Sequence, residues 1–157
     1  MTLDYGNKLI LAPMVRVGCL AFRLLAIEHG AEMVYTEEII DRKLAKTVRT
    51  VNEEKGLVEY IISEPRKGGT FKDTVVFSTV LRKPTHRGNV PLILQLGTGD
   101  PHHALVAARH VQDDVDGIDV NMGCPKKFSV KGGMGSALLT EPAKVQAILT
   151  ALVAGLE

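Results

Sequence analysis

The sequence predicts an α/β fold, a parallel sheet covered by helices, and three observations carry that reading. Short apolar runs, "LILAPMV", "MVYTEE", "VPLILQLG" and "GIDVNMG", recur along the chain, and near-continuous apolar strands are what a sheet buried on both faces requires. Segments of helical period with their own start and stop signals stand between them. Polar side chains close the runs at Glu37, Gln95 and Asn121, at the strand ends where parallel α/β proteins assemble their sites.

Each element follows in order. The first strand is expected over residues 9–15. A helix over 20–29 comes next, with Leu20, Leu24, Leu25 and Ile27 at helical spacing and Gly30 as its stop. A second strand covers 33–38, and the charged stretch 39–53 reads as helical. Two β-rich pieces, 57–62 and 74–80, flank "SEPRKGGTFKD" and form a hairpin-like excursion outside the βα rhythm, an insertion over about 57–89. Its cations Arg66, Lys67, Lys72, Arg82, Lys83 and Arg87 read either as a solvated surface or as an RNA-facing patch. The third strand spans 90–97. A helix then starts at Asp100, where Asp-Pro supplies the N-cap and first-turn residues and Leu105, Ala108 and Val111 keep helical spacing. The fourth strand covers 117–123, and a last helix begins near Thr140.

Composition narrows the class. With 157 residues, 45% of them hydrophobic, and a net charge of +1, the chain is one domain or part of one. Two cysteines give no disulfide framework, so a reducing compartment, the cytoplasm, is expected. The apolar run after Lys8 is far shorter than the roughly 20 residues of a membrane span. A near-zero net charge means that nucleic acid would be held by local patches, since there is no global field to attract it. Four main strands leave two architectures open. One is an open sheet; the other is the first half of a (β/α)₈ barrel, which complete needs about 250 residues.

Cys124 is the residue that asks for chemistry. It stands between Gly123 and Pro125 at a strand end, leading into the loop "KKFSVKGGMGS", and a thiol there suits a nucleophile or a general acid tuned by Lys126, Lys127 and Lys131. Cys19, by contrast, reads as a small buried hydrophobe. "KGGMGS" lacks the Walker pattern, and Ala12, Pro13 and Met14 stand where a dinucleotide fingerprint would follow the first strand. The loop therefore reads as a flexible closure over a site, with Lys131 as a phosphate contact. His102 and His103 are adjacent, so their side chains diverge by about 100° and no metal site is expected. Glu37 and Glu38 suit acid–base work, or equally a cap or an arginine partner.

The blocks "LAPMVRVG", "FR" (Phe22, Arg23), "YTEE", "LQLGT" and "GIDVNMGCPKKFSVKGGMGSALL", in this order, resemble the tRNA-dihydrouridine synthases over essentially the whole chain. "APMVRVG" and "DVNMGCPK" are most similar to the eukaryotic cytosolic type-two enzymes of that family. The resemblance implies a (β/α)₈ barrel, here its N-terminal half with about four βα units, holding FMN at the strand C-termini. It further implies NADPH-dependent reduction of a uridine C5=C6 bond in folded tRNA. By the same resemblance Ala12, Pro13 and Met14 line the flavin ring and Gln95 hydrogen-bonds its edge. Asn121 lies near flavin and uracil, and Cys124 donates a proton. Glu37, Glu38, Lys126, Lys127 and Lys131 are then candidates for facing substrate or RNA. Hydride reaching uracil C6 leaves C5 to be protonated, a task for a neutral thiol.

Two other readings stand beside this one. A dihydroorotate dehydrogenase-type FMN barrel works on a similar pyrimidine bond, and a non-catalytic fragment would bind a partner through its open sheet edges. The later flavin-contacting lysine and histidine and the RNA-binding domains that the family carries find no match in residues 1–157. The chain is therefore expected to be a fragment, splice product or incomplete gene model. Its edges would be covered by a partner or by the other half of the barrel.

Overall fold

The computed structural model describes residues 3–81 and 90–156; Arg82, Lys83 and Arg87 of the basic cluster lie outside them. The elements are β1 (Ile10–Leu11), α1 (Leu20–Glu28), β2 (Met33–Tyr35), β3 (Ile39–Ile40), α2 (Asp41–Leu44), β4 (Val48–Asn52), β5 (Leu57–Pro65), β6 (Phe71–Val80), β7 (Leu92–Gly97), α3 (Pro101–Val111), β8 (Gly117–Val120), α4 (Lys127–Lys131) and α5 (Pro142–Gly155).

Register decides between the two architectures. Ile93 of β7 is paired with Tyr35 on one edge and Gly117 on the other, and Leu96 with Ile39 and Val120. Thus β2 and β3 share one edge of β7 and are a single strand interrupted at residues 36–38. The parallel sheet runs β1, β2/β3, β7, β8, so its order in space is its order in the chain. A barrel wall is built that way, whereas doubly wound sheets reverse order at a switch point.

The interruption is a bulge. Between Tyr35 and Ile39 the chain takes four steps while β7 takes three, from Ile93 to Leu96. Val34 and Ile39 both pack in the core under the helices although an unbroken strand would send them to opposite faces. On β7, Leu92, Leu94 and Leu96 pack on that helical side, against Ala104, Ala107, Ala108 and Val111 of α3 and Ile148 and Leu152 of α5. Each fully buried leucine contributes about 2–3 kcal/mol. By strand alternation Gln95, and with it Asp119 and Asn121, lies on the opposite face, the inside of the barrel wall.

Several expected elements shift. Strand one stops at Leu11, because Pro13 has no N–H to donate and the chain then turns, the amides of Val17 and Gly18 donating to the Met14 carbonyl. Of the stretch read as helical over 39–53, only the single turn α2 is helix. Val48–Asn52 instead forms β4, antiparallel to β5; the β-branched Val48, Thr50 and Val51 suit that pairing once a partner strand is supplied. The excursion is therefore a three-stranded meander that begins at Val48 rather than near 57. Most of "SEPRKGGTFKD" is strand, turning at Gly68 and Gly69, both with positive φ. Asp100 caps α3 as expected, its carboxylate accepting from the His103 amide at 2.9 Å.

A buried polar cluster pins the meander to the barrel wall. Asp114, in the turn after α3 and 3% exposed, accepts from Arg49 Nε at 2.7 Å and Nη2 at 2.9 Å and from the Tyr60 hydroxyl at 2.5 Å. Hydrogen bonding to Asp114 raises Arg49, and burial raises Tyr60. On the other side Arg23 of α1 donates to the Gly18 and Ser78 carbonyls and lies 5.6 Å from the Phe77 ring centre, with burial bringing its guanidinium down to about 10. Replacing Tyr60 by phenylalanine removes one donor from a buried carboxylate. The expected cost is about 1–2 kcal/mol, read as a lower urea midpoint with an unchanged slope.

Candidate active site at the strand ends

On the inner sheet face, side chains from β7 and β8 form one directed chain. Gln95 Nε2 donates to Asp119 Oδ2 at 2.8 Å, and Asn121 Nδ2 donates to Gln95 Oε1 at 3.1 Å. Asn121 Oδ1 then accepts from the amides of Gly123 at 2.9 Å and Cys124 at 3.0 Å. The Asn121 amide still donates to the Leu96 carbonyl of β7 at 3.0 Å, and beyond it the Asn121 side chain takes the amides of Gly123 and Cys124, closing an Asx turn. Cys124 is thereby placed just beyond the carboxyl end of β8.

The following loop fixes Cys124 from below. Its carbonyl accepts from Ser136 N at 3.0 Å, and its sulfur lies 3.5 Å from the fully buried Ser129 hydroxyl of α4. Gly135, at φ +60°, leaves no room for a side chain: a Cβ there would meet the Cys124 carbonyl oxygen at 2.5 Å. Gly99 has the same constraint against the carbonyls of Gly132 and Gly133, at 2.9 and 2.6 Å. The loop read as a flexible closure is thus a turn of helix followed by backbone packed on backbone. Met134 N donates to Ser129 O and Gly133 N to Val130 O.

The two adjacent glutamates part company at the bulge. Glu37 accepts from the Arg16 amide at 2.8 Å, holding a residue with φ +68° in the loop after β1, so it takes the capping role. Glu38 turns inward. Its Oε1 is buried without a hydrogen-bond partner and lies so close to Gly97 that a Cβ there would come within 2.8 Å. Burial raises its carboxyl, while the neighbourhood of Cys124 and the Lys126 charge oppose that rise.

Ala12, Pro13 and Met14 stand at the carboxyl end of β1, two strands from Gln95, with Ala12 and Met14 exposed. Lys126, Lys127 and Lys131 are exposed on the rim. Cys19 is exposed as the N-cap of α1, not the buried hydrophobe expected, because the turn at Gly18 leaves it outside the core. The rings of His102 and His103 meet edge to face with centres 5.7 Å apart rather than diverging. No cluster of three metal-ligating side chains is found among the described residues. Sequence reasoning missed Asp119, Ser129 and Gly135. A carboxylate inside an apolar strand was the available signal for the first, and nothing local marked the other two.

The fold and this arrangement define a class, a (β/α) barrel wall with a polar site at the carboxyl ends of its strands and a thiol among its groups. Residues 10–157 match the dihydrouridine synthase (Dus) family, and the chain belongs to it. It is 46% identical over 95% of its length to a Saccharomyces cerevisiae protein named tRNA-dihydrouridine(20) synthase (NAD(P)+), covering 37% of that protein. The Schizosaccharomyces pombe protein of the same name is 41% identical over 96% of the chain, which covers 30% of it. A tRNA-dihydrouridine synthase B of Xanthomonas axonopodis is 33% identical over 93% of the chain. The chain therefore spans about a third of the length of these relatives.

Replacing Asn121 by alanine leaves the Gly123 and Cys124 amides without their acceptor. Faster hydrogen exchange at both amides and a loss of about 1–2 kcal/mol are expected. Glu38 supplies a pH dependence. Its folded carboxyl lies above the ordinary 4.5, so the native state binds more protons there and stability falls as pH rises from about 4.5 toward the folded value. Glu38→Gln should flatten that slope in denaturation curves measured from pH 4 to 8.

Proposed function

We propose that this chain is part of an enzyme that reduces a uridine of tRNA to 5,6-dihydrouridine, with FMN as resident cofactor and NADPH as reductant, in the cytoplasm. The observation that carries the reading is the directed chain from Asp119 through Gln95 and Asn121 to Cys124, at the strand ends of a barrel wall whose relatives bear dihydrouridine synthase names. The dihydroorotate dehydrogenase-type reading gives way to this one with the family match.

The residues present fit a flavin. Among the described residues each of the two amide nitrogens keeps an N–H beyond its one bond, on the inner face that Asp119 shares. Gln95 would meet the edge of the ring system, Asn121 the ring and the base, and Ala12, Pro13 and Met14 would line it. When bound, FMN supplies the hydride. The chain's own residues do the remainder. Cys124, held by the Asn121 turn and by Gly135, delivers the S–H proton to the uracil carbon opposite the hydride. A base can reach it only by leaving the RNA stack, and exposed Lys126, Lys127 and Lys131 are positioned to take the flanking phosphates.

The edges support a larger assembly. Among the described residues β1 and β8 are each paired on one edge only, and Leu139, Leu149 and Val153 in and before α5 are exposed. We infer that further barrel units cover them, which the relatives' greater length allows.

Cys124→Ala in the complete enzyme should leave flavin reduction by NADPH within about twofold of wild type. Base reduction should slow by about a hundredfold, the scale of a lost general acid. Stopped-flow absorbance and tRNA dihydrouridine content read the two steps, and equal loss in both would refute the role of Cys124.

A further inference from the structure

Glu38 carries a carboxyl that the fold leaves unused. The bulge at residues 36–38 turns it to the inner face, where its Oε1 lies 2.8 Å from the point that a Cβ on Gly97 would occupy. That oxygen is buried and has no hydrogen-bond partner among the described residues. Glu38 as a whole is partly exposed, so rotation about its soft terminal bond brings a carboxyl oxygen to a ligand. An acceptor buried unpaired costs free energy that a ligand's N–H recovers. Glu37, one residue away, is committed to the Arg16 amide.

Register shows what shares that space. Leu96 pairs with Val120, and the Asn121 amide donates to the Leu96 carbonyl at 3.0 Å, so Asn121 follows on β8 beside Gly97. The Glu38 carboxyl and the Asn121 carboxamide thus flank the bare backbone of Gly97, two residues beyond Gln95 and Asp119 on the same face. One side offers an acceptor, and the other an N–H of Asn121 Nδ2 beyond its bond to Gln95. A carbonyl next to an N–H matches this pair, and the imide edge of uracil presents both as C4=O and N3–H. Asn121 Oδ1 also holds the Cys124 amide at 3.0 Å, so a uracil whose C5 meets the thiol turns the adjoining C4=O and N3–H toward these two side chains. Cytosine carries the reverse pattern there, an amino group and a bare nitrogen.

Resting on the reading of this chain as part of a uridine reductase, we propose that Glu38 is a specificity-determining residue. Its carboxyl accepts the N3–H of the target uracil while Asn121 donates to the neighbouring carbonyl. Gly97 leaves the room, and the bulge supplies the acceptor. The flavin ring carries the same imide edge, and the test separates the two ligands.

The test uses the complete enzyme, reduced by NADPH, in single turnovers on tRNA carrying uridine or 3-methyluridine at the position that the wild type converts. Nucleoside mass spectrometry reads the products. Methylation replaces the N–H, so the wild type should reduce the methylated base at least about thirtyfold more slowly. In Glu38→Ala, uridine itself should slow by about thirtyfold, and its advantage over 3-methyluridine should shrink to within about threefold. FMN content and the rate of flavin reduction by NADPH should stay within about twofold of wild type. Loss of FMN or slower flavin reduction assigns the carboxyl to the flavin's own imide and overturns the proposal, as does a preference for uridine that survives in Glu38→Ala. Should Glu38→Ala fail to fold, Glu38→Asp, which withdraws the carboxyl by one methylene, decides: a preference cut to about a third or less supports the contact, and an unchanged preference overturns it. A wild type that reduces no uridine overturns the functional reading together with this inference. An active wild type whose preference persists in the variant overturns this inference alone.

Discussion

The Asp119 carboxylate can only accept hydrogen bonds, and the orientation of the amides beside it follows from that. Gln95 must turn its nitrogen to Asp119, so its oxygen faces Asn121. Asn121 must then present nitrogen to Gln95 and oxygen to the two amides of the following turn. The same order is required from the other end, where Gly123 and Cys124 offer only donors. One carboxyl side chain inside an apolar strand therefore sets which atoms a ligand meets and where the thiol stands. A chain agreeing from both ends has no equivalent flipped arrangement, and a site held this way keeps its polarity without a ligand present.

Backbone geometry supplies the second constraint. A single extra residue between Tyr35 and Ile39 changes which side chains of β2/β3 face inward, and it separates two adjacent glutamates into different tasks. Glu37 steadies the loop after β1, while Glu38 turns to the inner face over Gly97. Gly18 permits that closeness, since a Cβ there would lie 2.7 Å from the Glu37 nitrogen. Gly135 and Gly99 act likewise on the far side, letting the glycine-rich loop press against Cys124 and the end of β7. The glycines of "KGGMGS" thus serve packing as much as flexibility, which explains why no phosphate-loop pattern accompanies them.

The three-stranded meander is held by a different kind of contact. Its core residues Val58, Tyr60 and Phe77 join the hydrophobic core, and two guanidiniums on opposite flanks fix its angle to the barrel wall, Arg49 on Asp114 and Arg23 on backbone carbonyls. Between meander and wall lies a cleft of about 320 Å³ lined by Cys19, Arg23, Glu37 and Glu59.

Much of this was legible in the chain itself. Hydrophobic period and capping residues located α1, α3, α5 and the four wall strands, because burial on both faces and helix termini impose local patterns that a sequence cannot conceal. The same patterns picked out Gln95, Asn121 and Cys124 as residues at strand ends, and the block around Cys124 carried the family. Tertiary structure alone decided the rest. Whether Val48–Asn52 is helix or strand depended on the partner β5 offers, and the order of the parallel strands depended on which edges met. Glu38 turned inward through a bulge that no residue type announces, and Asp119, Ser129 and Gly135 acquired their roles only when neighbours distant in sequence closed around them. Local periodicity reports the faces an element must bury; register and close approach arise between elements, and these determine what meets the thiol.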